Sequence, residues 1–558
     1  RRVLFRSNLI QLQARLIDIK SRNLHVPMGP LDSGLTASRI ILDVEEQLQV
    51  SGWIKASSLA RIHVTATSGS NTMSTSSDGP ISLATDTTAV IQSLAASSAI
   101  DIQTTGALRN AATIEAQGAG SRVMIDSDTA VRVLEGGILS TPGSGSSVQA
   151  TAGTWMWVDS GSAVMAGVRF DVVGSTPVPV SIGTDASISL SAAKELWLGG
   201  SVTSTGQMSP TSGDKLFDHA DYFDTLPGAV LAETSPLSTY ISDLSAGRFP
   251  SGLRPVLTSG NLLLGDSVSV TSLQSGTRWL VADTAGHSYV LLVTDPENDG
   301  TPNKLQVIEP HHLIGQRGFS MLVTGTLTVL QNNYSLTLQA TDDVIVRGNI
   351  NILGQNGNLT VQSDKRIYWE SSAAVTNNVS FYGGVETDGT DRFGADSTGS
   401  SIYLDPTSRL VTSQAGSDVL IRGSRDVDIL GAIVAGGTVG ETGVTWAGPD
   451  STVAVIAGQQ AYVDSAIQAA KSVTVQGGTP GSDDSSTSVV ITTAGGLNAA
   501  GLTSDANGSH IAVTGAGDIQ IMGNVLSGGA MTLLFNGNGD RIGESFTWSS
   551  KKSDIVVN

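Results

Sequence analysis

The feature that most restricts the fold is a recurring register of apolar residues, placed 12, 10, 4 and 2 positions before a small residue and again 2 after it. Ile40, Leu42, Leu48, Val50 and Ile54 fill these slots around Gly52, and Ile188, Leu190, Leu196, Leu198 and Val202 fill them around Gly200. Leu336, Leu338, Val344, Val346 and Ile350 surround Gly348, and Val419, Ile421, Val427, Ile429 and Ile433 surround Gly431. A further copy places Ile511, Val513, Ile519, Ile521 and Val525 around Gly523. Looser copies put Ser371, Ser465 or Ala112 in the small slot, the last interrupted by Asn110, and others start near Ile81, Val123, Ile402 and Val489.

Each copy is two alternating runs joined by a polar corner such as Ala340-Thr341-Asp342-Asp343. Alternation with period two is the signature of strands with one face inward. Val346 and Ile521 therefore point in, and Arg347 and Gln520 point out. Neighbouring starts are often about 17–25 residues apart, the length of one solenoid coil. An antiparallel meander would leave Asn-Gly or Asp-Gly at many junctions, whereas here a two-strand block recurs whole. The expected fold is all-β, a parallel, right-handed β-helix solenoid. Its about five inward aliphatics per coil contribute roughly 1.5–3 kcal/mol each. Ordering the coil costs roughly 1–2 kcal/mol per residue in backbone entropy, so a coil is stable only between neighbours. The small slot admits a tight bend or a close backbone approach.

The register disappears between residues 206 and 325. The chain thus divides into a solenoid tract at 8–205, an inserted lobe at 206–325 and a second tract at 326–558. Residues 1–7 read as a translated sequencing adapter and stay outside the fold argument; the natural protein is expected to extend beyond Asn8 and Asn558. Within the lobe, 212–226 between Pro210 and Pro227 is helix-capable. Residues 277–283, 288–293 and 304–308, separated by turn residues, read as three antiparallel strands. Trp279, Leu280, Tyr289, Leu291, Leu305 and Val307 are their expected core. The insertion is thus a small mixed, mainly antiparallel β lobe.

Glycine at 64 residues and charged residues at only 15% favour strands and turns over helices. A net charge of −19 would repel a phosphate backbone, which argues against nucleic acid as a partner. The absence of cysteine excludes disulfides and thiol chemistry. No apolar run is long enough for a membrane-spanning helix, and no signal peptide is visible in this stretch.

The phrases from Ser335 to Val346 and Gly517-Asp518-Ile519-Gln520-Ile521 resemble filamentous-haemagglutinin-type repeats. They are also similar in style to LEPR-XLL-type giant exported bacterial proteins with β-helical tracts. The resemblance covers the repeat tracts and implies a secreted or cell-surface structural and adhesive role, with an unidentified surface ligand, carbohydrate or another cell.

Chemistry-bearing residues are few. Asp295, Glu297 and Asp299, with Gly300 in the sixth place, match the first half of a calcium loop, but Gln306 stands where the closing carboxylate belongs. Asn538 and Asp540 lie in a single glycine-rich nonapeptide of the kind that shares calcium between stacked turns. A plain hairpin turn is the favoured reading of the first, and the second occurs in one copy only. Asp388, Asp391 and Asp396 read as a solvated loop, or as carboxylates of a carbohydrate-active enzyme. His219 among Asp214, Asp218, Asp221 and Asp224, and His311 and His312 after Glu309, read as surface residues rather than metal ligands. No Gly-x-Ser-x-Gly elbow with a triad occurs. The expectation is a non-enzymatic structural segment, without cofactor unless calcium; the alternatives are a carbohydrate-cleaving β-helix enzyme and a calcium-stiffened binding module.

Overall fold

The computed structural model describes residues 11–26, 34–65, 81–173, 176–213, 253–255, 278–283, 288–294, 304–309, 320–385, 387, 400–440, 443–478, 487–502, 509–535, 541–548 and 553–557. Among them there is no helix. A single sheet gathers 42 strands, and the pairings within it are parallel.

From Ile81 onward each complete coil contributes one strand to each of three ladders, which close a three-sided solenoid, whereas the earlier strands Gly34–Val50 and Trp53–Val64 run on from one ladder to the next. The coil around Gly348 supplies Leu336–Ala340, Val344–Val346 and Ile350–Ile352. The next coil supplies Leu359–Ser363, Ile367–Trp369 and Ser372–Val375. Leu336 pairs with Leu359, Val344 with Ile367 and Ile350 with Ala373, a displacement of 23 residues in each case. The five apolar slots therefore span all three strands of a coil, and the final slot is the first inward residue of the third strand. All five residues around Gly348 and around Gly52 are fully buried and belong to one continuous core. Asn110, the polar interruption, also points inward and is buried. It accepts a hydrogen bond from Thr85 Oγ1 (2.8 Å) and donates one to the Ala112 carbonyl (2.9 Å), which removes the cost of its burial.

Three details differ from the sequence reading. Ile81, Ile402 and Val489 stand on the second ladder, paired with Ala107, Ile367 and Ala461, so the shorter spacings between starts mix two phases of the repeat. Ile521 is 37% exposed, because its strand Asp518–Ile521 pairs on one side only, with Thr487–Ile491. Arg347 points outward but is only partly exposed, held by Glu370 of the next coil.

The corners are unequal. The turn from second to third strand is short in every described coil: Gly199-Gly200, Thr324-Gly325, Glu370-Ser371, Leu430-Gly431 and Asp464-Ser465 are examples. A Cβ on Gly348 would overlap the Gly325 carbonyl, and one on Gly325 the Gly200 carbonyl, so glycine is required by backbone packing between coils. The longer corners from third strand to the next first strand each carry a left-handed residue, Ser97, Gly120, Gly145, Asp185, Asn333, Asn356, Gly416 and Asp450, whereas the short ones, such as that between Val375 and Val379, carry none.

Chain growth is confined to the other two corners. Antiparallel hairpins follow the third strand at Val168–Val173 with Thr176–Ser181, Gly437–Gly440 with Gly443–Trp446, and Gly529–Phe535 with Arg541–Trp548. The lobe leaves between first and second strands. Its four strands, Leu253–Pro255, Arg278–Asp283, Ser288–Thr294 and Lys304–Glu309, are antiparallel throughout. Parallel pairing continues to Ser212 and resumes at Met321, a little past the limits 206 and 325 on each side. Across the lobe Leu196 pairs with Met321, Val202 with Leu327 and Met208 with Leu336. The two tracts are one solenoid, interrupted in sequence and not in space.

Candidate functional site on the outer face of the second ladder

The middle residue of each short second strand must point outward, because its neighbours fill the core. Ladder pairing aligns these residues into a single column along the solenoid: Arg109, Arg132, Trp157, Trp197, Leu322, Ile345, Tyr368, Tyr403, Asp428 and Tyr462. The flanking columns carry charge, with Asp343 and Arg366 ahead of the strand and Asp159, Arg347, Glu370 and Asp405 after it. This face brings aromatic and ionisable groups together along the solenoid.

At one end of the column, Ala107 and Ala130 leave room for Trp155, which packs against Trp157 at 4.5 Å between ring centroids. Trp197 meets Trp157 edge-on at 5.5 Å and donates from Nε1 to Thr324 Oγ1 at 3.1 Å. The Arg132 guanidinium lies 5.2 Å from the Trp157 centroid and pairs with Asp159 at 3.0 Å.

In the coils from Met321 to Leu404 the outward column is closed to solvent: Leu322, Ile345, Tyr368 and Tyr403 are at most 5% exposed. Beside them Arg347 makes a bidentate pair with Glu370, at 2.9 and 3.4 Å. Asp405 is occupied in its own turn, accepting from the Thr407 amide (2.8 Å) and hydroxyl (2.7 Å). Asp428 accepts from Ser400. Burial raises the Asp426 carboxyl above the ordinary carboxylate range, against the opposing effects of the Gln460 amide (3.0 Å) and nearby Arg425. These carboxylates are committed to turns and ion pairs within the fold.

The residues singled out from sequence lie elsewhere. Asp295, Glu297 and Asp299 fall in the connection between Ser288–Thr294 and Lys304–Glu309, and Asn538 and Asp540 in that between Gly529–Phe535 and Arg541–Trp548. All five are outside the described residues, as are Asp388, Asp391, Asp396, His219 with its aspartates, His311 and His312. The strands of the lobe are described but the burial of its expected core is not. Among the described residues no three His, Asp or Glu side chains form a metal-binding group, and no helix is long and apolar enough to cross a membrane. The outward aromatics escaped the sequence reading, although each sits between two core residues in a triplet such as Met156-Trp157-Val158 or Ile402-Tyr403-Leu404. No family model, curated protein or solved structure matches the chain.

Proposed function

We propose that this chain is a non-enzymatic structural and adhesive stretch of a large secreted or cell-surface bacterial protein. The observation that carries the reading is the unbroken stack of coils across the lobe, which makes the molecule a stiff scaffold from which lobe and hairpins project. Such projections are where a rigid repeat scaffold carries recognition. The acidic surface and lack of cysteine suit an exported chain.

The competing reading, a carbohydrate-cleaving β-helix enzyme, draws on the carboxylates and arginines of the second ladder. Beads coated with the chain, incubated with immobilised and with soluble polysaccharides, separate the two. The expected result is retention of beads on a glycan surface with no shortening of the soluble polymer. Depolymerisation that is lost in Asp426→Asn or Asp428→Asn would overturn the structural reading.

A further inference from the structure

The outer face of the third ladder forms a groove of about 610 Å³ in the coils between Ile350 and Thr412, walled on one side by the hairpin Gly437–Trp446. Its floor is the outward column Asn351, Ala374 and Val411, aligned rung by rung. Ala374 gives the floor its depth. The next outward residue, Val434, is already buried where the hairpin departs. Leu353 and Val439 are 57% and 44% exposed at the margins, so the groove offers apolar contact on both sides.

Its charge runs against that of the molecule. The chain has 50 acidic residues against 31 Lys and Arg, yet no acidic side chain lines the groove. Arg409 is the one ionic side chain in the lining, exposed and with no ion-pair partner among the described residues. Asn349 and Asn351 add neutral amide donors and acceptors, while the Thr376 hydroxyl is engaged by the Gly354 carbonyl and the Gly357 amide. Successive rungs are about 4.8 Å apart, comparable to the advance of one pyranose ring in an extended chain.

We propose that this groove binds an extended acidic oligosaccharide, a run of hexuronate units lying along the solenoid. One carboxylate meets Arg409 in a charge-assisted pair, ring hydroxyls meet the amides, and the C–H faces of the sugars rest on Ala374, Val411 and Leu353. The inference rests on the adhesive reading and names its ligand class.

The test uses the full chain titrated calorimetrically with oligogalacturonate hexamers and with neutral galactan hexamers. Two variants probe the groove: Arg409→Gln removes the cation at an exposed position, and Ala374→Trp fills the floor from an outward position; circular dichroism confirms that both fold. The expected result is binding of the acidic hexamer, weakened about tenfold in each variant, with weaker binding of the neutral one. Absence of binding to the acidic hexamer, equal binding of both hexamers, or equal binding by native and variant chains would each overturn the proposal. The same samples are checked for hexamer cleavage. Cleavage with variant-sensitive binding supports the groove while overturning the non-enzymatic reading, whereas bead adhesion without hexamer binding overturns the groove alone.

Discussion

At the scale of single residues, the small position at the second corner is fixed by contact between coils. Gly348 has an ordinary backbone conformation, so its requirement is space: any side chain there meets the Gly325 carbonyl of the coil before. Gly348→Val should therefore destabilise the protein by about 2–4 kcal/mol. Gly496 has only the Asn524 carbonyl oxygen within reach, at 3.4 Å from a Cβ, and Gly496→Ala should fall within about 0.5 kcal/mol of the parent. Denaturant unfolding of the two variants checks the contrast, and equal losses would count against coil-to-coil packing as the cause.

At the scale of the element, the three corners differ in what they tolerate. Growth of a loop costs little in chain entropy, about 0.6 kcal/mol for each doubling of length, provided the stacked strands are undisturbed. Four residues inserted between Thr341 and Asp342 should thus leave hydrogen-exchange protection of Val344–Val346 intact, while the same insertion between Gly348 and Asn349 should abolish protection through Ile350–Ile352. Equal effects at the two sites would contradict the distinction. The strand pattern was legible in the sequence because the inward slots are filled so regularly: Leu336, Leu338, Val344, Val346 and Ile350 are all fully buried. The phase was not fully legible. Period two assigns Ile402 to an inward position but not to the second ladder rather than the first, and only pairing with Ile367 decides it. The outer faces were less legible still. Tyr368 and Tyr403 alternate as surface residues should, yet both are buried, and burial of an outward side chain depends on tertiary neighbours that local alternation does not encode. The calcium candidates drew on turn composition alone, which antiparallel hairpins share.

At the scale of the whole molecule, the central claim is that the coils on either side of the lobe stack directly and form one solenoid. Three residues join Ala340 to Val344 in an uninterrupted coil. Replacing residues 214–319 with one glycine leaves the same number between Ser212 and Met321. The most direct measurement is hydrogen exchange of this shortened chain, read at Leu196–Leu198 and Met321–Val323, the strands that meet across the excised lobe. Protection at both equal to that in the full chain is the predicted result. Rapid exchange at both strands, with the two tracts unfolding separately, would contradict it.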